Sequence, residues 1–186
     1  MKTWNYPNRD TRAWPAGQWD DEPDKMQWTD ESTGFVCLMA RNPILGHWCG
    51  YVGLEPDHPW HGKDYDDVPA SVHGGVNYGE SCMVDVPEFL SVCHTPEPGK
   101  PDDIWWIGFD FAHAGDWSPG SPFKSRKLRY WDSASVMAEC RKLAAQASNA
   151  NKSQWVCPFC GNPLPGERAA CCGEVGHAVL EPMEAE

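Results

Sequence analysis

Three separate stretches of this chain each bring histidine together with aspartate or glycine. The first is His58-Pro59-Trp60-His61-Gly62-Lys63-Asp64-Tyr65-Asp66-Asp67, the second His73-Gly74-Gly75, and the third Asp110-Phe111-Ala112-His113-Ala114-Gly115-Asp116. Imidazole and carboxylate together suit Zn, Mn or Fe. They also suit general acid–base work near neutral pH. Taken singly, each residue has a plainer reading. Asp110 could close a turn through its own side chain, His113 could be a satisfied core histidine, and Asp66 and Asp67 a solvated acidic loop. As a set they form a candidate pocket. No single catalytic residue is assigned; the candidates are His61, His73, Asp110, His113 and Asp116, the last four as ligands of one or two ions whose identity the sequence leaves open.

A second constellation lies near the C-terminus. Cys157 and Cys160 stand at C-x2-C spacing, followed by Gly161. That spacing lets two thiolates share one ion, and the glycine lets backbone N–H groups turn toward sulfur. Cys171, Cys172 and His177 offer the remaining ligands. The tail resembles zinc ribbons, with an adjacent cysteine pair where a second C-x2-C would stand. The expectation is one structural zinc, without which so small a ribbon would not fold.

These groups need elements to aim them. Phe35–Arg41 (FVCLMAR) and Cys49–Leu54 (CGYVGL) read as strands of a hairpin whose loop contains Gly46 and His47. Ile104–Phe111 (IWWIGFDF) is the strongest strand candidate, and Asp110-x2-His113-x2-Asp116 lies where it runs out into a loop. Val72–Tyr78 reads as a short strand broken by Gly74-Gly75. A helix is expected over about 132–148, capped by Asp132 or Ser133, with Val136, Met137, Cys140, Leu143 and Ala144 on its apolar face. Residues 1–33, with Trp4, Trp14, Trp19 and Trp28, show neither period and read as an irregular arm packed on the body.

The expected fold is therefore α+β: a small, mainly antiparallel sheet, one long C-terminal helix and a zinc-ribbon-like appendage. The divisions are 1–33 (arm), 34–148 (core) and 149–186 (linker and tail).

The chain has 186 residues, and 27 acidic against 15 basic side chains give a net charge of −12. That balance argues against direct nucleic-acid binding, which needs Lys and Arg against phosphate. No run of about 18 apolar residues suggests a membrane span. Nor does the start of the chain read as a signal peptide. Nine cysteines in such a chain suggest reduced thiols or metal ligands.

The ordered motifs GYVG (50–53), HPxHGKDYDD (58–67), VHGGVNY (72–78) and WWIGFDFAHAGD (105–116), then the helix with Val136, Glu139 and Leu143, carry a resemblance. The chain resembles a family of small, mostly uncharacterised bacteriophage and prophage proteins over about residues 35–148. The resemblance implies action in the cytoplasm of a bacterial host, in host takeover or counter-defence. By analogy it favours an accessory binding protein over a metabolic enzyme.

Three functions follow from these observations. The first is a protein that binds a host protein or a small anionic, nucleotide-like ligand, with Trp60, Lys63, Gly74, Gly75, Tyr78 and Trp106 lining the site. The second is a metal-dependent hydrolase using His73, Asp110, His113 and Asp116, with His61 or Asp66 as acid or base. The third is an acidic DNA mimic, which the scattered acids support least.

Overall fold

A computed structural model describes residues 1–6, 14–82, 91–92, 103–123, 125 and 127–153. The zinc-ribbon expectation at Cys157, Cys160, Cys171, Cys172 and His177 lies outside the described residues.

Six strands form one antiparallel sheet: β1 (Lys2–Trp4), β2 (Lys25–Thr29), β3 (Val36–Arg41), β4 (Trp48–Leu54), β5 (Tyr78–Ser81) and β6 (Trp105–Asp110). Their spatial order is β1-β2-β3-β4-β6-β5. The expected hairpin is β3–β4, with Met39 opposite Gly50 and Arg41 opposite Trp48. Its turn is set by Asn42, whose Oδ1 accepts the N–H groups of Ile44 and Leu45 at 3.0 and 2.9 Å. The apolar run at 105–110 is β6, inserted between β4 and β5. Two short strands, β7 (Asp116–Trp117) and β8 (Arg129–Tyr130), pair in parallel beside the main sheet. The helix α1 spans Ser133–Ser153. This is an α+β fold with a mainly antiparallel sheet and a long helix at the C-terminal side of the described chain.

Strand periodicity sorts the core into two faces. Met26, Trp28, Cys37, Met39, Val52, Ile107 and Phe109 pack on the helix side, against Val136, Cys140, Leu143, Ala144 and Ala147. Leu38, Trp106, Ile104 and Val92 pack on the other. The helix comes close because Gly50 leaves room: a Cβ there would stand 2.6 Å from the Phe109 ring and 2.7 Å from Cys140 Sγ. Burial pushes the Cys37 thiol up to about 12 and holds it neutral.

Three expectations change. Residues 1–33, expected as an irregular arm packed on the body, are not irregular throughout. They supply β1 and β2, with Thr3 opposite Met26 and Trp28 opposite Cys37. The signal is weak because β1 is only three residues long and two of them are exposed. The segment 72–75 is a turn, and pairing begins only at Tyr78. Gly74 and Gly75 have φ of +68° and +91°, which no strand contains. The helix runs on to Ser153, so residues expected to be a linker complete it; Ala147 is fully buried and Ala150 packs on the core. Asp132 is its N-cap, accepting the Ser135 N–H at 2.8 Å.

Candidate metal centre

The site lies where β6 ends. Asp110 is the last residue of that strand, and Phe111 continues it by donating its N–H to Trp48 O at 2.9 Å. The chain then turns, with Asp116 N–H bonded to His113 O at 2.9 Å. This turn brings the Asp116 carboxylate back under His113, whose backbone N–H donates to Asp116 Oδ2 at 2.9 Å.

Asp116 is the hub. His73 Nε2 lies 2.8 Å from Oδ2, and Trp131 Nε1–H donates to Oδ1 at 2.7 Å. Its side chain is only 6% exposed. Burial alone would raise this carboxyl. The donors from His73, His113 and Trp131 outweigh that effect, so it sits below the ordinary carboxylate range. It is an anion at neutral pH, held by three donors.

His73 arrives from the glycine turn. Its ring stacks on Phe111 at 4.6 Å between centroids, 15° from parallel, and leans on Trp131 at 4.7 Å. Its backbone N–H donates to Glu139 Oε2 on the helix at 3.3 Å. Sheet, turn and helix thus each fix one side of this residue.

His113 Nδ1 stands 3.5 Å from Asp110 Oδ1 and 3.7 Å from Asp116 Oδ2. That nitrogen is buried and makes no hydrogen bond. Gly74 lies directly beneath the ring, and a Cβ there would overlap the imidazole. Asp110 is oriented by the Ala112 N–H on Oδ1 and by Asn77 Nδ2 on Oδ2, both at 3.0 Å.

One ligand atom from each of His73, His113 and Asp116 lies within 4.8 Å of the others. Two ligands bound about 2.1 Å from a common ion sit roughly 3–3.4 Å apart. The separations of 2.8 and 3.7 Å about Asp116 Oδ2 bracket that range. Two histidines and one carboxylate are a donor set suited to a first-row divalent ion with open positions. The Trp131–Asp116 bond supplies the outer partner such ligands usually have.

Of the residues expected to do chemistry, the structure brings together His73, Asp110, His113 and Asp116. His61 is elsewhere: its Nε2 is bonded to Asp103 O at 2.9 Å, and its ring lies by Trp105 at the far end of β6. Five residue steps along the strand separate Trp105 from Asp110, about 17 Å. Asp66 lies in a short 3-10 turn capped by Asp64. The expected ligand-binding set is dispersed. Trp60 is buried on the helix face and Trp106 on the opposite one. Tyr78 leans on Tyr51, and Lys63 is exposed near Gly79. Of that set only Gly74 touches the site; at Gly75 a Cβ would meet nothing within 4 Å.

Sequence reasoning passed over Asn77, Arg129, Trp131 and His47 as site residues. His47 has a buried, unpartnered Nδ1; burial pushes its pKa down, while the charges of Asp110 and Asp116 pull it up. Its place in the hairpin loop beside strand β6 was the only signal. Trp131 had none, because its role depends on β8 folding back beside β7. The chain matches no family model, no curated protein and no solved structure.

Proposed function

We propose that the chain binds a divalent transition metal through His73, His113 and Asp116 and acts as a metal-dependent hydrolase. The observation that carries this reading is the convergence of three ligand atoms from two turns within 4.8 Å, one turn carrying His73 and the other His113 and Asp116, with the buried Nδ1 of His113 making no hydrogen bond. A bound ion would supply Lewis acidity and a water of lowered pKa. The chain's own groups do the rest. Trp131 holds Asp116 in place, and the His73–Phe111 stack fixes the imidazole plane. Asp110, half exposed and held by Asn77, can take up or return a proton beside His113. By the resemblance to phage proteins, the reaction would belong to host takeover or counter-defence. That placement is an analogy.

The test is metal content and calorimetric titration with Zn, Mn and Fe(II) on the full chain and on the double variant His73→Ala/His113→Ala. The variant should lose one equivalent of tightly bound metal, with cleavage of nitrophenyl ester or phosphate substrates lost alongside. Equal metal content in the two proteins would overturn the assignment.

A further inference from the structure

One cation sits beside this acidic centre in an unusual setting. Strand pairing places Arg129 directly alongside Asp116, and its backbone N–H donates to Gly115 O at 2.8 Å. Its guanidinium lies over the Trp131 ring, 3.7 Å from the centroid. The same indole donates to Asp116 and leans on His73. Arg129 is exposed, and among the described residues its guanidinium makes no ion pair. Asp132 lies within reach of its charge, but that carboxylate is occupied chiefly by capping Ser135.

Among the described residues, then, this arginine stands without a carboxylate partner. Stacking on an indole pre-orders the guanidinium plane while leaving its edge N–H donors free. A planar fork with free donors matches the paired oxygens of phosphate or carboxylate. Asp110 and Asp116 would repel an anion approaching His73 and His113, so an anionic substrate needs a cation at the rim. We propose that Arg129 is the substrate-binding residue of this centre and selects substrates bearing an oxyanion, phosphate or carboxylate, next to the bond to be cleaved. The inference rests on the metal reading for its reactive centre, and deepens it by naming the substrate class.

The experiment titrates the cobalt(II)-loaded full chain with inorganic phosphate and, separately, with acetate, following the cobalt absorption bands and the heat released. At least one anion should bind, and the tighter of the two identifies the oxyanion. Arg129→Gln should weaken it tenfold or more while cobalt affinity and thermal midpoint stay unchanged. Arg129→Lys, which keeps the charge but not the planar fork, should fall between. Equal anion affinity in wild type and Arg129→Gln, or no anion binding to wild type, overturns the inference while leaving the metal reading intact. Equal cobalt uptake by wild type and His73→Ala/His113→Ala overturns the metal reading instead. Phosphate and acetate titrations of the metal-free chain then decide on Arg129 by the same comparison.

Discussion

At the scale of single residues, the centre depends on groups outside the proposed ligand set. Gly74 permits the left-handed turn and leaves room for the His113 ring. Gly74→Ala adds backbone strain of about 1–2 kcal/mol and pushes the imidazole away. Metal affinity should fall at least tenfold. Gly62, with φ of +73° and open space around it, is the control: Gly62→Ala should cost the strain alone and leave metal titrations unchanged. Trp131→Phe removes the donor to Asp116 Oδ1 and leaves a largely buried carboxylate short of a partner. That costs about 1–3 kcal/mol, readable in chemical denaturation. Acid unfolding should also begin at higher pH. The carboxyl is depressed in the fold, so its stabilisation is present above the ordinary value of 3.8 and lost as pH falls through the folded value. Weakening the depression moves that loss upward in pH.

At the scale of elements, one buried cluster ties the strand that carries Arg129 to the sheet. Arg41, with its side chain fully buried, pairs with Glu22, donates to Tyr130 Oη at 2.7 Å and to Gly46 O at 2.9 Å, and lies over Trp48. Glu22 also accepts the Tyr130 hydroxyl and, at 2.7 Å, the Ser133 N–H at the start of α1. A loop before β2, the end of β3, strand β8 and the helix start thus meet at one carboxylate. Glu22→Ala leaves Arg41 buried without its counter-charge and should cost about 3–5 kcal/mol, measured as a lowered thermal midpoint. Arg129 and Trp131 flank Tyr130, so metal and anion affinity should fall with it. Gly50→Ala attacks a different contact, the seat of the helix on β4. An added methyl there meets Cys140 and Phe109, and overpacking of this kind costs about 1–3 kcal/mol.

At the scale of the whole molecule, pH and metal content are the readouts. His58 is buried, its Nε2 bonded to Ala147 O at 3.0 Å and its Nδ1 accepting the Trp60 N–H at 3.0 Å. Both bonds are satisfied only by the neutral ring. Burial lowers its pKa, as it does for His47. A histidine depressed in the fold contributes stability that is full above its unfolded value of 6.5 and declines as pH falls toward the folded value. Denaturation midpoints should therefore hold steady above pH 6.5 and drop as pH falls below it. His58→Gln should flatten part of that drop while lowering stability at pH 7.5. Metal analysis separates the core from the tail. If the C-x2-C spacing of the tail holds zinc, Cys157→Ser should lose one zinc equivalent and keep the His73/His113 equivalent; unchanged metal content in that variant would refute the tail assignment.

The hairpin β3–β4, strand β6 and the helix were legible because each carries its own local signal: short apolar runs at 35–41 and 105–109, and a helical apolar stripe that includes Val136, Cys140 and Leu143. Asp110, His113 and Asp116 were legible because a strand end running out into a glycine-containing loop aims side chains locally, and His73 because a glycine pair follows it. Which of the three His-bearing stretches would meet was not local information. His61 and His73 look alike in sequence, yet the antiparallel pairing of β4, β6 and β5 sends them to opposite ends of one strand. Strands β1 and β2 were hidden for a similar reason, since a short strand beside a polar loop gains its stability from the neighbouring edge. Trp131 and Arg129 joined the site only because a buried arginine–glutamate–tyrosine cluster folds β8 against the sheet, a contact across more than a hundred residues that no spacing in the chain encodes.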